Sequence, residues 1–421
     1  MFQTLPAQTV ASPATVTVNF GSSRATMPAN GLLLGDIAGL STSAIMPLQP
    51  KLWRFSANSG LYLPFSTSGT ALQFVLSDLY CYPSANWCGR VPPYQDWPGY
   101  EAIVRQAAQN MRGQNVMFDV WNEPDYNYYW SGTNNQFFQT YLHAYQVIRE
   151  VLGPSVLIGG PSSSMPYNKT FLQAFLDFCN ANGCEVNFLS WHEFIDVDSA
   201  ILSISSHILD AKSSFMNNPK YARLNMKRID INEMIGPTNA HRPGAILAYL
   251  DQIEKGGAGG ASKACWPDSK GQNECFNGTL DGLLTSDTQQ PRSAWWAIKA
   301  YADGATTRVA STATDPHVIA LASKPVSASA SAQVLIGYFN GTVSTPIQVS
   351  VNLNGLAPLW SLSANGTVSV EIDEIPDSGE SELWQPIRIG QRDLQLSGGI
   401  ATTTLVSVAP GQVYRLTLSP E

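Results

Sequence analysis

Met117-Phe118-Asp119-Val120-Trp121-Asn122-Glu123-Pro124-Asp125 is the stretch that decides the fold class. A short apolar run stops abruptly at Asn-Glu-Pro. Proline cannot extend a ladder, so the run predicts a buried strand that opens into a loop. Glu123 then stands at the mouth of that strand. The next periodic segment, residues 135–152, sets Phe138, Tyr141, Leu142, Tyr145, Ile148 and Leu152 on one helical face and stops at Gly153-Pro154. Residues 156–160 form another apolar run. Strand, helix and strand in succession are the unit of a parallel sheet.

The same alternation recurs outward from this unit. Upstream, residues 32–37, 51–55 and 71–79 predict strands and 100–112 a helix. Downstream, 186–191, 228–232 and 260–266 predict strands, and 170–178, 199–215, 244–254 and 290–302 predict helices. About eight strand–helix units fit between residues 31 and 303, which suits an α/β fold of the (β/α)8 TIM-barrel type. A doubly wound sheet is the rival, but no Gly-x-Gly-x-x-Gly follows the first strand. After Gly304 the texture changes to short runs of period two, at 318–322, 334–339, 347–353, 368–375, 383–389 and 413–418, separated by Gly, Asn, Ser and Pro. That pattern predicts an accessory antiparallel β-sandwich. Residues 15–20 alternate as well and are expected to join it. The expected domains are a catalytic barrel over 31–303 and a sandwich made of 1–30 plus 304–421. The sandwich is expected to be structural, because its few aromatics, chiefly Trp360 and Trp384, fall in or beside strands that must pack.

Composition narrows the function. The 421 residues are 44% apolar and only 13% charged, with 11 Trp and 16 Tyr. A net charge of −8 disfavours nucleic acid and anionic membrane surfaces as partners. No run approaches the length of a transmembrane helix. Met1 to Pro13 lacks a basic start and an apolar core, so no signal peptide is read there. Six cysteines fall in close pairs, and local disulfides Cys81–Cys88, Cys179–Cys184 and Cys265–Cys275 are the simplest pairing. Sequons stand at Asn168, Asn277, Asn340 and Asn365. Cysteines and sequons together favour a secreted, extracellular protein. No Cys-x-x-Cys or His cluster predicts a metal, and no cofactor is implied. The oligomeric state is not legible.

Chemistry in a barrel gathers at the C-terminal ends of the strands. The second strand ends in Arg54, the fourth in Asn122-Glu123, and the sixth in Trp191-His192-Glu193. The seventh ends in Glu233, and the eighth near Trp266. Two glutamates at one barrel face are what a retaining glycosidase needs: one protonates the leaving oxygen, the other attacks the anomeric carbon. Tyr126, Tyr128, Tyr129 and Trp130 follow the first glutamate and offer a sugar-stacking wall. Asp119 and Asp230 lie inside strands and are expected to hold backbone or arginine.

In these residues the chain resembles glycoside hydrolase clan A, and within it family 39, the β-xylosidase and α-L-iduronidase group. Trp121-Asn122-Glu123-Pro124 is similar to the clan's acid/base motif. Glu233, 110 residues further on, falls at the position of its nucleophile. Arg54 resembles the strand-two arginine and Ser190-Trp191-His192 a strand-six pattern. Pro291-Arg292-Ser293-Ala294-Trp295-Trp296 resembles the start of the last barrel helix. The resemblance implies Glu123 as acid/base, Glu233 as nucleophile and Asn122 as the group that binds the sugar 2-hydroxyl. Arg54, His192, Trp191, Trp266, Tyr126, Tyr128 and Trp130 are the expected substrate-binding set. It further implies an oligosaccharide or polysaccharide substrate, double displacement, and exo-action like a β-xylosidase. An endo-acting glycanase of the same clan and a non-catalytic carbohydrate-binding barrel are the alternatives.

Overall fold

The computed structural model describes residues 13–24, 28–33, 40–56, 69–80, 82, 89–304, 307–327 and 330–421. Strand β1, Ala14–Asn19, precedes a closed barrel of eight parallel strands: β2 Gly31–Leu33, β3 Leu52–Phe55, β4 Ala71–Val75, β5 Val116–Asp119, β6 Ile158–Ser163, β7 Phe188–Glu193, β8 Arg228–Met234 and β9 Gly260–Lys263. Residues that face the surrounding helices are apolar, such as Trp53, Phe74 and Phe118, while Leu52, Met117 and Phe188 plug the interior as a separate small cluster. This inside-and-outside burial is why the strands read as continuous apolar runs.

The second domain is one nine-stranded sheet, ordered β15-β14-β17-β12-β11-β10-β1-β13-β16. Its remaining strands are β10 Arg308–Ala313, β11 Val318–Ser323, β12 Ala332–Tyr338, β13 Ile347–Asn354, β14 Thr367–Ile375, β15 Ile387–Gln395, β16 Ile400–Val408 and β17 Val413–Pro420. The edge strands β15 and β16 approach one another, so the sheet wraps over its own core of valines, isoleucines and leucines. Strand β1 does join it, but runs parallel to β13, which makes the sheet mixed rather than purely antiparallel. Strands β10 and β16 escape the apolar pattern because their sequences, Arg-Val-Ala-Ser-Thr-Ala and Ile-Ala-Thr-Thr-Thr-Leu-Val-Ser-Val, are rich in Ala, Ser and Thr. Trp360 packs part-buried on the core. Trp384, expected to pack, is instead 68% exposed, its Nε1 donating to Glu382 Oε1 at 3.0 Å.

The helix Pro243–Gly256 joins the two domains and is buried along almost its whole length. One side lies on the barrel and the other against β11, β12 and β17. Gly244 permits the closest approach, since a Cβ there would stand 2.3 Å from the Tyr338 carbonyl oxygen. At the helix's other end, fully buried Glu254 accepts from Tyr301 Oη at 2.8 Å and from Arg308 Nε at 3.3 Å.

Two cysteine expectations resolve differently. Cys265 and Cys275 form a disulfide with Cα atoms 5.2 Å apart. Cys179 and Cys184 are free, buried thiols, which corrects the expected bridge. Cys179 lies in the last turn of the helix Lys169–Asn182, where its carbonyl accepts from the left-handed cap Gly183, and both thiols are packed into the apolar layer between helix and barrel. Cys81 and Cys88 lie outside the described residues. Of the sequons, Asn365 is exposed, and Asn168 and Asn340 use Oδ1 to bond backbone N–H groups of the following turn. Asn277 does not suit a glycan, because its Nδ2, the atom that would carry the sugar, is buried.

Glu254→Ala should leave the Arg308 guanidinium buried without its carboxylate and cost about 3–5 kcal/mol, read as a lower midpoint in chemical denaturation. An unchanged midpoint would show that the joint is not stabilised in this way. Thiol counting on denatured, unreduced protein should find Cys179 and Cys184 free and Cys265 and Cys275 blocked.

Candidate active site

The C-terminal ends of the barrel strands surround a cavity of about 840 Å³. Arg54, on β3, organises its floor. Nε donates to Asp119 Oδ2 at 2.9 Å, Nη1 to Glu233 Oε1 at 2.9 Å and Nη2 to Asn122 Oδ1 at 2.8 Å. Arg54 is 2% exposed and Asp119 is fully buried. Asp119 Oδ2 also accepts from Ser162 Oγ at 2.8 Å and from Asn232 Nδ2 at 3.1 Å. A buried charge held by this many partners fixes the guanidinium plane, and with it the two groups on its other nitrogens. Asp230, also inside the barrel, is held by Arg228.

Glu123 follows β5 with a left-handed backbone, φ 48°. Its N–H donates to the Ser162 carbonyl at 3.0 Å, and its carbonyl accepts from Tyr126 N–H at 3.1 Å. A non-glycine residue held in this region costs of order 1–2 kcal/mol, and such strain concentrates at functional sites. Glu233 stands on β8, where the register with β7 slips between Trp191 and His192. A slip of this kind re-aims side chains at a barrel rim. An oxygen of Glu123, an oxygen of Glu233 and a nitrogen of His192 all lie within 4.8 Å of one another. His192 Nδ1 is 2.9 Å from Glu123 Oε1 and 3.8 Å from Glu233 Oε2.

Electrostatics separate the two carboxylates. Burial pushes Glu123 up to about 7, opposed by Arg54 and helped by Asp125. Burial raises Glu233 too, but the Arg54 guanidinium in direct contact pulls it back. Like charges this close favour one shared proton, and Arg54 assigns the negative charge to Glu233. Burial lowers His192 to about 4, so it is neutral at working pH. The three groups are also those from which a cation site would be built. Their atoms are already engaged, Glu233 by Arg54 and Glu123 by His192, and a guanidinium beside the would-be shell repels a metal.

Asn122, Arg54, Tyr126, Tyr128 and Trp266 line the cavity, while His192 lies beneath it, in contact with both glutamates. Trp266 Nε1 donates to the Ile235 carbonyl at 2.9 Å, and its ring meets Phe194 edge-on at 5.6 Å. Two expected site residues are placed elsewhere. Trp191 is fully buried, since side chains alternate along β7 and Ser190 and His192 take the inward positions. Its Nε1 donates to Glu193 Oε1 at 2.7 Å in the helical layer. Trp130 is 3% exposed and packs edge-on against Trp121 at 5.1 Å, because the loop folds back on itself through its N–H to the Tyr126 carbonyl. Asp78 and Tyr82 line the cavity without having been read from the sequence. The expected strand 71–79 ran past Asp78 and hid it; β4 ends at Val75, and a short 3-10 turn, Leu76–Leu79, carries Asp78 to the rim.

A closed parallel barrel with one carboxylate just after its fourth strand and another on its seventh is the arrangement expected from the resemblance to clan A glycoside hydrolases. The model of glycosyl hydrolases family 39 matches residues 103–227, and over that stretch the chain is similar to the family. The match includes Asn122-Glu123 and His192 and stops before Glu233. A β-xylosidase of Caldicellulosiruptor saccharolyticus is 26% identical over 114 residues, 25% of this chain and 22% of that protein. A β-xylosidase of Geobacillus stearothermophilus is 28% identical over 116 residues, 26% of this chain and 23% of that protein. The chain thus aligns with less than a quarter of each curated relative. Solved structures extend the likeness of fold to both domains. A protein from Neocallimastix frontalis has a TM-score of 0.76 at 20% identity, covering 97% of this chain and 100% of its own. A family 39 enzyme from Xanthomonas axonopodis pv. citri has a TM-score of 0.69 at 15% identity, covering 99% and 100%.

Because Glu123 holds its proton only below about 7, kcat/KM on glycosides with poor leaving groups should fall as pH rises through that value. Glu123→Gln should erase this alkaline limb. The limb persisting unchanged in the variant would assign it to another group.

Proposed function

We propose that the chain is a secreted retaining glycoside hydrolase, exo-acting and β-xylosidase-like, that releases sugar from oligosaccharide or polysaccharide ends. The observation that carries this is the spacing of the carboxylates: oxygens of Glu123 and Glu233 approach within 4.8 Å. Retaining pairs stand about 5–5.5 Å apart, and inverting pairs need about 6.5–9.5 Å to admit a water. The curated relatives, both named β-xylosidases, support the sugar class. A cavity walled on one side by Tyr126 and Tyr128 and on another by the Cys265–Cys275 loop supports exo-action. That disulfide supports an oxidising compartment.

In this mechanism Glu123 gives its proton to the glycosidic oxygen while Glu233 attacks the anomeric carbon. The leaving group departs as an alcohol, and a glycosyl ester forms on Glu233. Water then attacks the same carbon, Glu123 takes the water's proton, and the sugar leaves with its configuration retained. Asn122, held by Arg54, lies beside the acid and is positioned for a sugar hydroxyl. His192 positions Glu123 rather than charging it.

Glu233→Ala should abolish turnover, because no covalent intermediate forms. Glu123→Ala should slow mainly substrates with poor leaving groups. Azide should rescue Glu123→Ala with retention and Glu233→Ala with inversion. Inverted fresh product from the wild type, followed by NMR, would overturn the mechanism.

A further inference from the structure

Asp78 is a third carboxylate on the cavity wall, and the two-glutamate mechanism does not use it. It stands in the 3-10 turn after β4, on the side of the cavity next to Arg54 and Asn122. Tyr82 Oη donates to Asp78 Oδ1 and lies 2.9 Å from Ser77 Oγ, which accepts from Asn122 N–H at 3.1 Å. Asp78 is thereby tied through two hydroxyls to the backbone of the residue beside the acid. Among the described residues its Oδ2 has no hydrogen-bond donor. A half-buried carboxylate in the cavity wall, oriented on one oxygen and open on the other, is placed to accept from a ligand hydroxyl that displaces water there. Burial raises Asp78 to about 6, against the opposing effects of Tyr82 and Arg54, so it remains mainly an acceptor at neutral pH.

The positive charge in the cavity is already committed. Arg54 is the one Lys or Arg that lines it, and each of its three nitrogens donates to a protein oxygen. The segments not described contain no Lys, Arg or His at all. Lys263, buried behind the cavity wall, donates to the carbonyls of Ala264 and Asp281. A sugar bearing a carboxylate or sulfate would therefore meet Asp78, Glu123 and Glu233 with no spare cation, and like-charge contact of this kind is strongly rejected.

The geometry points to Asp78, held by Tyr82, as the specificity-determining residue of the sugar-binding pocket: it accepts hydrogen bonds from hydroxyls remote from the anomeric carbon and confines the substrate to uncharged glycosides. This rests on the hydrolase function proposed above. The test is a panel of nitrophenyl glycosides covering neutral pentosides, neutral hexosides and hexuronides, with deoxy analogues of the best neutral substrate. Active sites are counted by burst titration with a fluoroglycoside, so that each rate refers to folded enzyme. The wild type should favour a neutral glycoside over the matching uronide by at least about 100-fold. Asp78→Asn should lower kcat/KM on that neutral glycoside roughly 10- to 100-fold, with Tyr82→Phe losing less. One deoxy analogue should lose a similar factor with the wild type and nothing further with Asp78→Asn. Equal turnover of uronides, or an unchanged kcat/KM in Asp78→Asn on every neutral substrate, would overturn the assignment while leaving the hydrolase intact. No turnover of any glycoside by titratable wild type would instead overturn the hydrolase function beneath it.

Discussion

The guanidinium of Arg54 is the constraint on which the site depends. It is buried, and it binds Asp119 below, Glu233 on one flank and Asn122 on the other. Because its charge is nearly cut off from water, it cannot be left unpaired, and the carboxylates it holds cannot move independently. Three carboxylates, Glu123, Glu233 and Asp78, face the same cavity. One cation shared with Asp119 cannot neutralise them all. The outcome is a graded set of affinities for protons, with Glu123 and Asp78, neither touched by Arg54, raised to about 7 and about 6. The proposed division of labour between acid and nucleophile follows from which oxygen the guanidinium reaches.

The barrel supplies the rigidity this arrangement needs. Parallel strands bring residues far apart in the chain to one rim, and the closed ladder leaves no edge along which they could slide. The departures from regularity sit at that rim: the left-handed Glu123 and Ser162, and the slips along β7 and β8 beside His192 and Glu233. The accessory sheet reaches the same region from outside. Glu380 accepts from Ser269 N–H at 2.7 Å and from its Oγ at 2.6 Å, bracing the disulfide-closed loop that carries Trp266 and Phe276 into the cavity wall.

Much was legible along the chain because burial leaves a direct imprint on sequence. The abrupt stop at Asn122-Glu123-Pro124 and the isolated Glu233 could be read as strand ends, and helices such as Asn134–Leu152 declared themselves through one apolar face. The alternation of strand and helix, then of period-two runs, was enough for a barrel followed by a sheet. These are local properties: each residue's type reports on its own solvent exposure.

What the tertiary structure alone decided is direction and distance. Trp191 and His192 are neighbours in the chain, yet one faces the helices and the other the site, because the pleat alternates and no sequence pattern states its phase. Trp130 was drawn into the core by a loop that folds back on itself, and Cys179 and Cys184 stayed thiols though close in sequence. Asp78 was hidden by a strand read four residues too long. The sequence by itself determined which elements form and which carboxylates end them. Only closure of the barrel set Glu123 and Glu233 within 4.8 Å across 110 residues of chain, because that separation is fixed by the circumference and register of a ring of strands and by no one of them.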